Sequence, residues 1–261
     1  MKQETVTQTA GSLGFPLSSK EFRRGDRRLD ASNYARESTR LHLVLENSGI
    51  PLAPITRFTD PESPESVFNL GRFKRVWADS AENGYPYLSA SEILLRKPTR
   101  TRFVSKYKTE KPEKFFAKEG WILLTCSGTV GQPMIVTRRW SDFFYTHDLI
   151  RILPKANETG YIYAYLSSKF AQAFLTRDQY GGTVKHLEPH HLLASISIPV
   201  LRDHVRASIN AKIMKAFELR EQANQIEDEA VLELEQNLEQ PEASARTESP
   251  LTEDHGSGNP R

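Results

Sequence analysis

The stretch from Ile196 to Leu238 decides the fold, because the short apolar strand Ile196-Ser-Ile-Pro199 is followed by a helical pattern that runs from Asp203 to Leu238. In this pattern, small and apolar residues recur at heptad positions, namely Ala216, Leu219, Ala223, Ile226 and Ala230. Such a repeat is typical of a helix that packs against another helix. About ten turns of helix are more than a body of ~200 residues needs to cover itself. We therefore favour contact with another chain over packing on the chain's own domain.

The residues before this helix combine strand and helix patterns. Gly120–Val136 predicts two strands joined by a turn, and Phe143–Leu153 predicts a further strand rich in aromatic and β-branched residues. Val67–Trp77 predicts a strand or a hairpin, whereas Tyr161–Leu175 carries its apolar residues at helical spacing. The predicted fold class is α+β, with a mixed, β-rich domain, flanking helices and a long C-terminal coiled-coil-like helix.

Charge is distributed unevenly along the 261 residues, although the net charge is only +2. Lys and Arg outnumber Asp and Glu by 28 to 20 over residues 1–200, but are outnumbered by 7 to 13 over residues 201–261. A basic body favours a polyanionic partner and an acidic helix favours a protein partner. We predict four segments: a flexible N-terminus (1–20), a DNA-binding domain (21–201), a docking helix (202–239) and a disordered tail (240–261).

Composition excludes several classes of protein. The sequence has no apolar run long enough to span a membrane and no apolar stretch near its N-terminus, and its single cysteine excludes an internal disulfide. These features predict a cytoplasmic protein without membrane contact. Cys126 ends an apolar strand and is predicted to be structural, and Pro189 separates His186 from His190 and His191, so we expect no zinc site. No motif for a nucleotide or a methyl donor is present, and we expect no cofactor.

Basic residues are clustered in the body, with aromatic residues among them. Lys and Arg neutralise phosphates and release counterions, and Arg can also make bidentate contacts to base edges. The alternative for any one of these residues is a solvated surface position. As a set they predict DNA binding by Arg72, Lys74, Arg75, Arg100, Arg102, Lys106, Arg138 and Arg139.

Two glycine-containing turns are further candidate DNA contacts. Ser127-Gly-Thr-Val-Gly131 lacks the ending of a phosphate-binding loop and is predicted to be a tight turn between strands, with Ser127 and Thr129 as candidates to face DNA. In the turn Gly181-Gly-Thr-Val-Lys-His186, two glycines would allow close backbone approach to a ligand. There the candidates are Tyr180, Thr183, Lys185 and His186.

Six ordered motifs carry a family resemblance. They are Arg28-Leu-Asp-Ala-Ser32 with Tyr34; Gly84-Tyr-Pro-Tyr-Leu-Ser-Ala-Ser-Glu-Ile93; Gly120-Trp-Ile-Leu-Leu-Thr-Cys-Ser-Gly-Thr-Val-Gly131; Tyr161–Phe174; Gly181-Gly-Thr183 through Pro199; and Phe217-Glu-Leu-Arg-Glu-Gln-Ala223. With these motifs in this order, the chain resembles the specificity subunit of type I restriction–modification systems. The resemblance is to a half-size form with one target-recognition domain and one conserved helix.

The resemblance implies a non-catalytic subunit that reads one half of a bipartite DNA site. It also implies docking of methyltransferase subunits, and of a restriction subunit, to the helix. Because members usually carry two recognition domains, we expect this chain to pair with itself or with another half-subunit. A helix of about 54 Å could hold two recognition domains more than one turn of DNA apart. Double-stranded DNA is the expected ligand.

Two alternatives stay open. Asp26, Asp30 and Glu37 could serve a metal-dependent nuclease, although their spacing also suits helix capping and surface ion pairs. The chain could instead be an assembly adapter that binds DNA without sequence preference. Neither the target bases nor the choice between cleavage and methylation can be read from one sequence.

Overall fold

The computed structural model describes residues 36–177 and 186–239, which divide into a unit ending at Lys215 and a second unit beginning at Ala216. The helices are α1 (Arg36–Asn47), α2 (Thr159–Leu166), α3 (Lys169–Arg177), α4 (Pro189–Ser195) and α5 (Asp203–Glu239). The strands are β1 (Leu52–Pro54), β2 (Val67–Phe68), β3 (Trp77–Ala78), β4 (Gly84–Leu88), β5 (Phe103–Ser105), β6 (Ile122–Thr125), β7 (Pro133–Ile135), β8 (Phe144–Tyr145), β9 (Leu149–Ile152) and β10 (Ser197–Pro199). Helices and mixed sheets in one chain confirm the α+β prediction.

The first four-stranded sheet, which we call the aliphatic sheet, has the strand order β2-β9-β6-β7 and is antiparallel throughout. Every residue of β6 and β9 is buried. A strand buried on both faces often reads as a continuous apolar run, as Ile122-Leu-Leu124 does. The predicted strand–turn–strand at Gly120–Val136 is confirmed as β6 and β7, and the turn between them has Gly128 and Gly131 at φ of 75° and 86°.

The second four-stranded sheet, which we call the aromatic sheet, has the order β3-β5-β4-β8. Its strands pair antiparallel except for β4 and β8, which are parallel. Tyr87 and Phe144 are buried in this sheet and pack with Phe115 and Phe73. A backbone pair of β1 and β10, with Leu52 opposite Pro199, joins the two ends of the body and leads into α5.

Three predicted elements differ from the structure. Val67–Trp77 is not one strand or hairpin, because β2 pairs with β9 and β3 pairs with β5 in the other sheet. Phe143–Leu153 is divided between β8 and β9, where hydrogen bonds between Thr146 and Asp148 form a turn. The helix predicted over Tyr161–Leu175 is divided into α2 and α3, and the Ser168 hydroxyl accepts a hydrogen bond from the Ala171 amide at the start of α3.

The first turns of α5 belong to the body. The Gly160 amide donates to Asn210 Oδ1 at 2.7 Å, and Arg206 forms an ion pair with Glu158 at 2.6 Å. A side chain at Gly160 would lie 2.6 Å from the Asn210 carbonyl oxygen, so only glycine allows this approach. The long helix predicted after Pro199 is confirmed, as a single helix of 37 residues.

The second unit consists, in its described residues, of the α5 segment from Ala216 to Glu239. Leu219 and Ile226 of the predicted seam are 51% and 65% exposed. Ala223 and Ala230 are also exposed, and Ala216 is half-buried. The apolar heptad positions of this segment are thus largely uncovered.

Candidate nucleic-acid interface

Basic residues that are scattered in the sequence meet around the aromatic sheet. Arg75 precedes β3, Arg102 precedes β5 and Lys106 follows β5. The register sets Val104 opposite both Trp77 and Tyr85, so the ends of β5 lie beside the aromatic residues of its two neighbours. We call this group, Arg75, Trp77, Tyr87, Arg102 and Lys106, the cationic–aromatic surface.

Arg102 is held at this surface by contacts on several sides. Its guanidinium carbon lies 5.6 Å from the centroid of the Trp77 ring and 5.3 Å from that of Tyr87. The two rings meet edge to face at 5.2 Å. One terminal nitrogen, Nη2, donates to Glu92 Oε2. The side chain is nevertheless 44% exposed, so a cation is both fixed in place and open to solvent.

Glu92 is itself fixed by the turn that follows β4. Its Oε2 accepts hydrogen bonds from the Ser89 amide at 2.8 Å and from the Ser89 hydroxyl at 2.5 Å. Burial acts to raise the pKa of the Glu92 carboxyl, but the Ser89 hydrogen bonds and the Arg102 charge outweigh it, so the pKa lies below its ordinary value. The carboxylate is therefore ionised near neutral pH and keeps Arg102 oriented.

Arg75 lies beside the β8–β9 turn. Its Nη2 is 3.8 Å from Asp148 Oδ2, and its guanidinium is 6.0 Å from the Phe73 centroid and 5.8 Å from that of Tyr87. Burial, together with the positive charges of Arg75 and Arg72, lowers the pKa of the neighbouring His147 despite the Asp148 carboxylate. The His147 imidazole is therefore neutral at physiological pH and adds no charge to the surface.

The side chains of Arg100 and Lys106 are held by different kinds of contact. Arg100 stacks 4.7 Å from the Phe143 centroid and is 4.0 Å from the exposed carboxylate of Asp142, so it is held loosely. Lys106 Nζ donates to the carbonyls of Ala81 and Glu82 at 3.1 and 2.9 Å, which uses two of its three protons inside the protein. A lysine bound in this way stabilises the β3–β4 loop.

The turn after β6 lies close to Asp148 as well. The Cys126 amide donates to the Asp148 carbonyl at 3.4 Å, and Ser127 forms a β-bridge with His186. Ser127 is half-buried and Thr129 is exposed. The structure therefore brings together two of the sequence-predicted turns, at Ser127–Thr129 and at His186.

The other predicted contacts are dispersed or lie outside the described residues. Arg72 and Lys74 are exposed in the loop between β2 and β3. Arg138 is exposed and Arg139 half-buried in the 3₁₀ turn Arg138–Trp140. Tyr180, Thr183 and Lys185 lie in the stretch 178–185, outside the described residues, as do Asp26 and Asp30. The side chain of Glu37 is likewise not described.

Cysteine and histidine do not form a reactive or metal-binding group in the described residues. Burial, aided by the Asp148 and Glu188 charges, raises the pKa of the Cys126 thiol to about 12, so it is a structural thiol. The ring centroids of His190 and His191 are 4.0 Å apart, with the rings tilted by 42°. Within residues 36–177 and 186–239, no three His, Cys, Asp or Glu side chains form a metal-binding cluster. Among the described helices, none is both long and apolar enough to cross a bilayer.

The sequence matches the model of one protein family. Residues 66–234 match the model of the "Type I restriction modification DNA specificity domain". The chain belongs to this specificity-domain family. The matched region contains the cationic–aromatic surface, the Ser127 turn, His186 and most of α5. Specificity domains are generally non-catalytic, and the acids Asp26, Asp30 and Glu37 lie outside the matched region.

Solved structures of two specificity subunits and of a restriction endonuclease resemble the chain at low identity. The type I restriction-modification S subunit from M. genitalium is 16% identical, with a TM-score of 0.44 over 72% of this chain and 45% of that one. The HsdS subunit from Thermoanaerobacter tengcongensis is 13% identical, with a TM-score of 0.43 over 74% of this chain and 47% of that one. The type IIG restriction endonuclease BpuSI is 14% identical, with a TM-score of 0.45 over 70% of this chain and 28% of that one.

The chain spans about half the length of the two S subunits it matches. No curated protein sequence matches it.

Sequence reasoning about this specificity domain missed the carboxylates that lie beside its arginines. Glu92 and Asp148 are acidic, so a search for cations does not find them. Glu92 accepts a hydrogen bond from Arg102, which follows it by ten residues in the sequence. Asp148 lies 3.8 Å from Arg75, which precedes it by 73 residues. The motif Gly84–Ile93 contains Glu92, but only the tertiary structure relates it to Arg102.

Proposed function

We propose that this chain is the DNA-recognition component of a type I restriction–modification system. In this proposal the body reads one part of a bipartite DNA site, and α5 docks the methyltransferase subunits that act on it. The observation that carries the proposal is the family match over residues 66–234, which includes both the cationic–aromatic surface and most of α5. The chain itself supplies no cofactor and no catalytic group in the proposal.

The chemistry of the cationic–aromatic surface supports DNA as the ligand. Guanidinium groups provide fixed positive charge for phosphates and a planar set of donors for base edges. Arg75 and Arg102 are partly exposed, at 38% and 44%, and both rest on aromatic rings. Arg72 and Lys74 add exposed charge in the adjoining loop. The Ser127 turn and His186 are the next candidates for contact, because the bridge between them lies beside Asp148.

The exposed heptad positions of α5 support a protein partner. Leu219 and Ile226 are exposed apolar side chains seven residues apart, and burying such side chains against another helix is favourable. The partners proposed for this seam are a methyltransferase subunit, a second copy of the chain or another half-subunit. A restriction subunit would join through the methyltransferase assembly.

A methylation assay tests the function as a whole. The full chain is coexpressed with the methyltransferase subunit encoded in the same genome, in a bacterial strain that lacks other DNA methylation, and the plasmid DNA is sequenced for methylated bases. We expect one split motif to become methylated only when the chain is present. Methylation that does not depend on the chain, or none at all with a stable complex in hand, would overturn the proposal.

A seam variant separates docking from recognition. Leu219→Glu with Ile226→Glu places two charges on the seam, and we expect copurification of the methyltransferase, or sedimentation as a dimer, to be lost. Gln222→Glu with Gln225→Glu adds the same charge off the seam and is the matched control. Equal behaviour of both variants would show that the seam is not the docking surface.

A further inference from the structure

Three arginines beside the aromatic sheet, Arg75, Arg100 and Arg102, are not equivalent. Arg75 and Arg100 face their carboxylates at 3.8 and 4.0 Å, outside hydrogen-bonding distance. Arg102, by contrast, donates a hydrogen bond to a carboxylate that two Ser89 groups hold in place. Only in the last case does a chain of hydrogen bonds lead from the backbone of a turn to the guanidinium.

The hydrogen-bonding capacity of Arg102 is only partly used. A guanidinium has five N–H donors in one plane. In the described part of the chain, Nη2 binds Glu92, whereas Nε and Nη1 have no hydrogen-bond partner. The guanidinium presents paired N–H groups on two edges, Nε with Nη2 and Nη1 with Nη2. Glu92 takes one N–H of Nη2, so one of these edges keeps both of its donors on a side chain that is 44% exposed and whose orientation is fixed.

The surroundings of Arg102 suit a planar ligand edge better than a phosphate. The Trp77 ring lies beside the guanidinium, is 48% exposed and is supported edge to face by the buried Tyr87. A phosphate requires only positive charge, which any exposed Lys or Arg supplies. A fixed planar pair of donors matches the O6 and N7 acceptors of guanine in the major groove. Fixing the orientation beforehand removes the entropic cost of ordering a long side chain on binding.

We propose that Arg102 is a base-reading residue that recognises a guanine edge of the DNA target, with Glu92 and Trp77 as its positioning residues. This inference rests on the proposed function, because it assumes that the body binds duplex DNA with sequence preference. It assigns one base of the otherwise unknown target and the residue that reads it.

Selection from a randomised library tests the assignment. The full chain, alone and in complex with the methyltransferase subunit, is used to select from double-stranded DNA with a randomised segment, and the bound sequences are compared between variants. We expect the wild type to require guanine at one position or more. Arg102→Ala should reduce the preference at one such position by roughly 5- to 150-fold while the other positions keep theirs.

Further variants distinguish direct contact of Arg102 with a base from the positioning of Arg102 by Glu92. Glu92→Gln should weaken the preference at the same position as Arg102→Ala, and Arg102→Lys should not restore it, since an ammonium lacks the planar pair of donors. Arg100→Ala is the matched control, because Arg100 also stacks on an aromatic ring but has no fixed carboxylate. It should weaken binding to all sequences about equally. Thermal unfolding of each variant checks that the domain is folded.

The outcomes separate this inference from the function on which it rests. If Arg102→Ala weakens binding to every sequence equally and reduces its salt dependence, Arg102 contacts a phosphate and the inference is overturned. An unchanged guanine preference overturns it as well. If the wild type itself selects no sequence, alone or in the complex, the proposed function fails and the reading of guanine fails with it.

Discussion

The aliphatic and aromatic sheets have four strands each, yet they expose different chemistry. In the aliphatic sheet, β6 and β9 are buried at every residue, and Leu123, Ile122 and Ile150 have no exposed surface. In the aromatic sheet, burial ends at the strand edges, where Trp77 and Arg102 are about half exposed. One sheet therefore serves as a rigid support and the other as the surface that it supports. The difference leads us to expect that many substitutions will affect either stability or the proposed DNA contact more than the other.

Removing a side chain from the aliphatic sheet should have the largest effect on the free energy of unfolding. Leu123→Ala leaves a cavity in the core and should lower that free energy by about 2–5 kcal/mol. Leu94→Ala is the control, because Leu94 is 44% exposed, and it should change the value by less than about 0.5 kcal/mol. Urea denaturation measures both variants. Similar values for the two would show that the aliphatic sheet is not the rigid support.

Adding a side chain at a crowded position of the aromatic sheet should have the next largest effect on the free energy of unfolding. A Cβ at Gly84 would lie 2.5 Å from Phe103 Cβ and 2.9 Å from Ala78 Cβ, so β3, β4 and β5 cannot all keep their places. We expect Gly84→Ala to destabilise the domain by about 1–3 kcal/mol and to weaken DNA binding. Gly71→Ala is the matched control, since nothing lies within 4 Å of its added carbon. If the two variants bind DNA equally well, the order of the aromatic sheet is not needed for binding.

Removing charge beside the aromatic sheet should change binding without changing stability. Arg72→Ala with Lys74→Ala should reduce the slope of log affinity against log salt by about 0.9 for each phosphate that the double variant no longer neutralises. Arg57→Ala, in the 3₁₀ turn after β1, is the control for loss of surface charge. Fluorescence anisotropy on duplex DNA over a range of salt concentrations gives the slopes. Equal slopes for wild type and double variant would exclude these two residues from the interface.

The smallest of these effects should be the loss of stability when the Glu92 carboxylate is protonated at low pH. Its folded pKa lies below the ordinary value of 4.5, so its contribution to stability is present above that value and is lost as the pH falls through the folded pKa. Protonation should release Arg102 from Glu92 and change the fluorescence of Trp77. We expect an acid transition in the wild type that is absent in Glu92→Gln, with Trp77→Phe identifying the signal. A transition that persists in Glu92→Gln would assign it to another carboxylate.

Much of the fold could be predicted because local patterns agree with tertiary structure in its best-defined elements. The continuous apolar run of β6 and the glycines at positive φ after it mark a strand and a turn without outside information. The long helix α5 follows from periodicity alone. Val67–Trp77 misled the prediction because β2 and β3 are two residues each, and so short a strand is defined by its partner and not by its own sequence.

The candidate site was predictable only as a list of cations. Arg75 and Arg102 were among the predicted cations, but the sequence holds no signal that separates them from Lys106, which is bound to backbone carbonyls. The distinction depends on which carboxylate, ring or carbonyl lies within a few ångströms. Those neighbours come from distant parts of the chain.

By itself, the sequence determined the mixed class of the fold, the long helix with its heptad seam and the basic character of the body, because composition and periodicity are local properties. Its ordered motifs indicated the family. Only the tertiary structure decided that Glu92, Trp77 and Tyr87 surround Arg102 and fix its guanidinium. The physical reason is that pairing β5 with both β3 and β4 brings together residues that are separate in sequence, and the orientation of a charged side chain depends on contacts made across such pairings.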